Sequence, residues 1–179
     1  MLFNVAQLLK APIGTVRQFH VDEEFDKYSD INFVSPIRGT VTLLRVNYGV
    51  LVKARLEADV RLECSRCLEE FDQTIAFPFE ERFVPTVDID TGLLVHDPIE
   101  DQDDEDVFEI DKFHHIDLHE AVRQHALLRL PLQPLHDDNC LGLCPSCGSN
   151  RNWGQCHCED QMELDARWRT LGKLLGGYS

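Results

Sequence analysis

The sequence lacks any apolar run approaching the roughly 20 residues that span a bilayer. Its opening has no positively charged segment leading into a long apolar stretch and a cleavage site. Met1-Leu2-Phe3-Asn4-Val5-Ala6 turns polar at once, and Lys10, Arg17 and His20 interrupt the next stretch. The phosphate-cradling and nucleophile signatures G-x-x-x-x-G-K-[ST], G-x-G-x-x-G and G-x-S-x-G are missing. His119-Glu120 opens like a zincin motif, but Arg123 stands where the second His belongs. No nucleophile, base and orienter assemble, so the expectation is a non-enzymatic protein of the cytoplasm, with no membrane and no small-molecule substrate. Positive charge is scarce too: 17 Lys and Arg stand against 32 Asp and Glu, a net charge of −15. That balance argues against a free-standing nucleic-acid binder, whose affinity comes from phosphate contacts.

What the chain has is cysteine. Cys140, Cys144, Cys147, Cys156 and Cys158 read C-x3-C-x2-C-x8-C-x-C, with a turn at Cys144-Pro145-Ser146-Cys147-Gly148. Two thiolates two residues apart, with Pro and Gly shaping the turn, present both sulfurs to one tetrahedral ion. Cys156 and Cys158 are the preferred completion, with Cys140 in reserve and His157 able to replace one sulfur. The expectation is one structural zinc, closed by four protein ligands and with no open position for catalysis. Disulfides would need an oxidising compartment, and seven cysteines would leave one unpaired.

Cys64-Ser65-Arg66-Cys67 is a second C-x-x-C, where one strand ends and the next approaches. Three readings compete for it. It is half of a zinc site completed by Cys144 and Cys147, or a redox pair, or a structural turn with two small side chains. No βαβ pattern surrounds it and no helix N-terminus comes after it to lower a thiol pKa, which disfavours redox chemistry.

Period-two alternation runs from Ile37 to Val84. Val50, Val52, Ala54, Leu56, Ala58, Val60 and Leu62 alternate with Lys53, Arg55, Glu57, Asp59 and Arg61, and Tyr48-Gly49 offers a turn before them. Phe71, Ile75, Phe77, Phe79 and Phe83 mark a further strand. Ile116 to Leu130 predicts a helix with Asp117 as cap and Pro131 as stop; Leu118, Val122, Ala126 and Leu130 line its inner face. A last helix is expected over 164–175, ended by Gly176-Gly177. The fold expected is α+β: an antiparallel β-meander packed by one or two helices, with a small C-terminal zinc module. The partition is 1–135, a core with an acidic loop at 85–112, and 136–179, the Cys-rich module and terminal helix.

Charge is unevenly placed. Eleven acidic residues and no Lys or Arg lie between Asp88 and Asp111. The block Asp101-Gln102-Asp103-Asp104-Glu105-Asp106 repels itself and reads as a solvated linker, without the spacing of a calcium loop. Between Ile37 and Cys67, six basic residues face three acidic ones, and Lys53, Arg55 and Arg61 alternate onto one side of the longest strand. They are the candidate nucleic-acid contacts.

Several blocks together resemble the bacterial YceD family of large-subunit ribosomal RNA accumulation proteins. They are Phe3-Asn4-Val5-Ala6-Gln7-Leu8-Leu9-Lys10, Leu62-Glu63-Cys64-Ser65-Arg66-Cys67-Leu68, Ile116-Asp117-Leu118, Leu130-Pro131-Leu132, Cys140-Leu141-Gly142-Leu143-Cys144-Pro145-Ser146-Cys147-Gly148 and Asp165-Ala166-Arg167-Trp168-Arg169-Thr170-Leu171. The resemblance implies a non-catalytic ribosome-assembly factor needed for normal levels of large-subunit rRNA, and it carries over no catalytic residue. A basic strand face then points to rRNA or a ribosomal protein as partner. The rival is a zinc-dependent interaction module whose acidic loop captures a basic ribosomal protein without touching RNA. A thiol oxidoreductase is the third reading.

Overall fold

A computed structural model describes residues 1–25, 30–94, 108–154, 156 and 158. The acidic block 101–106, the terminal helix expected over 164–175 and His157 lie outside the described residues. The chain divides into two compact units, one of residues 1–62 and 70–134, the other of residues 63–69 and 135–179. The expected partition at 135/136 left the 63–69 turn in the core; the structure groups that turn with the cysteine-rich stretch.

The first unit is mostly β-sheet. Its strands are β1 (Leu2–Asn4), β2 (Val16–Glu23), β3 (Ile37–Val46), β4 (Gly49–Glu63), β5 (Glu70–Pro85), β6 (Phe108–Ile110) and β7 (His115–Asp117). The two helices among the described residues are α1 (Ala6–Leu9) and α2 (His119–Leu127). The strands form one sheet in the order β1-β7-β6-β5-β4-β3-β2.

The alternation along β4 does what its period demands. Val50, Val52, Ala54, Leu56, Ala58 and Val60 are buried, while Lys53, Arg55 and Glu57 stand exposed between them. Ile75, Phe77, Phe79 and Phe83 of β5 join the same core. Burying Phe77 and Phe83 almost completely contributes about 1.5–3 kcal/mol each.

The expected meander covers 37–84; beyond it, β6 lies inside the stretch 85–112 expected to be an acidic loop throughout. β2 with β3 and β3 with β4 are antiparallel, but β5 and β6 run parallel, Phe83 opposite Phe108. A parallel pair requires a crossover connection between the end of β5 and the start of β6. Pro78 sits inside β5, and among the described residues β6 pairs with β5 only at Phe83 to Pro85, away from position 78.

The helix expected from Ile116 begins three residues later. Ile116 is claimed by the sheet instead, opposite both Phe3 and Ile110. Asp117 still marks the entry, its carboxylate accepting from the His119 N–H at 2.9 Å. Leu118, Ala121, Val122 and Ala126 are fully buried and Leu130 partly so, as the i+4 stripe required. His125 of α2 stacks on Phe79 of β5, centroids 4.6 Å apart, and meets Glu81 at 2.8 Å. At the other helix, the Arg45 guanidinium donates to the carbonyls of Leu9, at the end of α1, and Gly49.

Candidate metal centres in the cysteine-rich unit

The second unit is organised by two turns of one design. In Cys64-Ser65-Arg66-Cys67-Leu68, the Leu68 N–H donates to the Cys64 carbonyl at 2.9 Å, and the Cys64 N–H donates to the Glu69 carbonyl at 2.8 Å. In Cys144-Pro145-Ser146-Cys147-Gly148, the Gly148 N–H donates to the Cys144 carbonyl and the Cys144 N–H to the Ser149 carbonyl, both at 2.8 Å. The residue after each second cysteine has left-handed backbone, Gly148 at φ 72° and Leu68 at φ 60°. Glycine adopts that conformation freely; a leucine there costs of order 1–3 kcal/mol and persists only where the surroundings impose it. This turn aims two sulfurs the same way.

The turns gather two sets of ligand atoms. Cys144, Cys147, Cys156 and Cys158 form one; Cys64, Cys67, His136 and Cys140 form the other. Within each set the ligand atoms all lie within 4.8 Å of one another. All seven cysteines are free thiols. The structure thus brings the sequence-predicted set of four sulfurs together, and it takes Cys140 away from that set as well as Cys64 and Cys67. Cys64 and Cys67 are completed by His136 and Cys140 rather than by Cys144 and Cys147. His136 escaped the sequence reading. It stands four residues before Cys140, a spacing that could have flagged it once the seven cysteines were seen to be one ligand short of two tetrahedral shells.

Electrostatics separates the thiols. At Cys64, burial works to raise the pKa, but backbone N–H groups of His136, Cys67 and Arg66 and the His136 side chain outweigh it and hold the thiol down to about 5. Burial pushes Cys67 up to about 11, helped by the neighbouring Cys64 and Cys140. Ser149 holds Cys147 down to about 6, its hydroxyl 3.0 Å from the sulfur. Cys158 is pushed up to about 12 by Cys147, then by burial and the charge of the neighbouring thiols. Clustered thiols cannot all ionise against one another; a bound dication removes that conflict and deprotonates its ligands. Both sets fit a borderline-soft ion such as zinc by donor type. Cys64 and Cys67 are buried, whereas redox thiolates are commonly part-exposed; the Cys64 thiol is nonetheless lowered, by backbone N–H groups rather than by the helix N-terminus that the sequence lacks.

The candidate nucleic-acid residues belong to the first unit. Lys53, Arg55 and Arg61 all stand on the exposed side of β4. Lys53 Nζ lies 2.9 Å from Glu80, and Arg61 forks onto both oxygens of Asp72 at 2.8 and 3.0 Å. Hydrogen bonding from Arg61 holds the Asp72 carboxyl below its ordinary range. Among the described residues no helix is long and apolar enough to cross a membrane.

The family profile described as "Large ribosomal RNA subunit accumulation protein YceD" matches residues 52–175. The chain is 34% identical over 88 residues to the Haemophilus influenzae protein of that name, covering 49% of this chain and 45% of the relative. It is 27% identical over 157 residues to the Arabidopsis thaliana protein named as YCED homolog 1, chloroplastic, covering 78% and 49%. An uncharacterised protein of Mycobacterium tuberculosis is 29% identical over 142 residues, covering 75% and 59%. The chain therefore spans about half to three-fifths of the length of these relatives. No solved structure matches it. With more than half of its length matched by the profile, the chain belongs to the YceD family.

Proposed function

We propose that this YceD-family chain is a non-catalytic, cytoplasmic ribosome-biogenesis factor that supports accumulation of large-subunit rRNA by binding rRNA, a ribosomal protein, or both. One observation carries the reading: the family profile covers residues 52–175, from early in β4 through the cysteine-rich unit. The process named for the family and for the Haemophilus influenzae relative is rRNA accumulation.

In this reading zinc at Cys144, Cys147, Cys156 and Cys158 is a structural ion that holds the cysteine-rich unit together. The chemistry it supplies is a closed tetrahedral crosslink between thiolates, which substitutes for the apolar core a stretch this short cannot build. The chain's own part is the turn at 144–148, whose N–H groups of Ser146 and Cys147 aim at the Cys144 sulfur and hold its thiol below the ordinary value.

Lys53, Arg55 and Arg61 form the RNA-facing side. Their ion pairs with Glu80 and Asp72 are exposed, hence worth about 0–1 kcal/mol each, and a phosphate can displace them. The same pairs give the alternative its support: with Lys53 and Arg61 already paired to carboxylates, the face attracts RNA weakly. A net charge of −15 suits a basic ribosomal protein captured by the acidic stretch instead.

The test is capture of the full chain from ultraviolet-crosslinked cells, with sequencing of bound RNA and identification of bound proteins. The reading expects large-subunit rRNA, large-subunit ribosomal proteins, or both, enriched over small-subunit species. Equal recovery of both subunits' components would overturn it.

A further inference from the structure

Seven cysteines make an odd number, and His136 makes the eighth ligand. The two sets use all seven cysteines and that histidine, with no thiol left over. The distances inside the set with fewer sulfurs are those of a coordination tetrahedron. With Zn–S of about 2.3 Å and Zn–N of about 2.0–2.1 Å, such a tetrahedron has S···S edges of about 3.8 Å and S···N edges of about 3.6 Å. Cys64 and Cys140 hold their sulfurs 3.9 Å apart, and Cys67 Sγ lies 3.4 Å from His136 Nδ1. A disulfide would require about 2.0 Å.

The surroundings repeat what the Cys144–Cys147 turn shows. Backbone N–H groups of Arg66 and Cys67 aim at the Cys64 sulfur, as those of Ser146 and Cys147 aim at Cys144. The Asn152 side-chain amide donates to the Cys140 sulfur at 3.3 Å. Its carbonyl accepts from the Leu141 N–H at 2.8 Å, so the amide is oriented, as supporting groups around metal ligands are. The Arg66 guanidinium donates to the carbonyls of Asp138 and Cys140, both at 3.0 Å, tying one ligand-bearing segment to the other. Gly142, at φ 70°, lets the chain pass the Arg66 carbonyl, which a Cβ would meet at 3.0 Å.

We propose that Cys64, Cys67, His136 and Cys140 bind a second metal ion, a zinc in a closed Cys3His shell separate from the four-sulfur site. Its ligands come from two segments about 70 residues apart, so the ion closes a long loop and is what makes the 63–69 turn part of the cysteine-rich unit. Three thiolates and a neutral imidazole around a dication leave one net negative charge, against two at the four-sulfur site. Arg66 stands beside the less negative of the two. Metal binding here does not depend on which ribosomal component the protein takes as partner.

Elemental analysis of the full chain, purified under reducing conditions without chelator, tests it. Two zinc ions per chain are expected, with X-ray absorption showing seven sulfurs to one nitrogen over both. His136→Ala, at an exposed position, should drop the count to one, and so should Cys144→Ser by emptying the other site. One ion in the wild type, or an unchanged count in His136→Ala, would overturn the proposal. A second measurement needs no variant. In the wild-type protein, Cys64, Cys67 and Cys140 should resist alkylation until a strong chelator strips the metal. Equal labelling of those three with and without chelator would overturn it too.

Discussion

Phe3 and Phe19 occupy the first and last strands of a seven-strand order, yet their ring centroids are 5.1 Å apart. A flat sheet would hold β1 and β2 some 28 Å apart at the usual spacing of about 4.7 Å per strand. The sheet therefore curls until its two edges meet through these rings, and the core lies within the curl. A double-mutant cycle with Phe3→Ala and Phe19→Ala should give a coupling of about 0.5–1.5 kcal/mol in urea unfolding. Additive losses would mean the edges do not support each other.

Two glycines let neighbouring strands come close. Gly39 has φ 149° and a Cβ there would run into the Arg55 carbonyl; Gly49 has φ 109° and faces the Phe83 carbonyl. Both obstacles are backbone, so neither can swing aside. Gly39→Ala and Gly49→Ala should each destabilise by more than about 1 kcal/mol, where Gly→Ala at a compatible site stabilises by about 0.4–1. Gly154→Ala, with open space around it, is the control for thermal unfolding.

Glu120 gives a pH signature. Hydrogen bonds from Arg123 and then Gln124 hold its carboxyl at about 2, below its ordinary 4.5. A depressed carboxyl stabilises the fold above the ordinary value, and that contribution fades as pH falls toward 2. The side chain is 51% exposed, so solvent screening limits the effect to about 0.5 kcal/mol. Glu120→Gln should lose that much at pH 7 and nothing near pH 2. An equal deficit at both pH values would contradict the charge-based explanation.

The two partner readings separate by charge. Lys53→Gln, Arg55→Gln and Arg61→Gln together should weaken RNA binding and flatten its salt dependence by about one unit of slope for each lost phosphate contact. If a basic ribosomal protein is the partner, that triple variant should change little, and deletion of 101–106 should abolish capture. Titrations of both variants against both partners at two salt concentrations distinguish the cases.

The strands were legible because alternation is local. Val50 to Val60 declared their buried face residue by residue. The four-sulfur set was legible for the same reason, since its ligands span only 144–158. What sequence hid was long-range. Ile116 fits a helical stripe and is nonetheless taken by β1 and β6, because pairing with Phe3 and Ile110 outweighs propensity. Cys64 and His136 are too far apart in sequence for spacing to connect them; only the returning chain does.

If this protein sustains large-subunit rRNA, its loss must show in the rRNA itself. The decisive quantity is the ratio of large- to small-subunit rRNA in cells of its native host depleted of the protein, measured at matched growth rate. The ratio should fall on depletion and recover when the full chain is restored. An unchanged ratio in depleted cells would contradict the assignment.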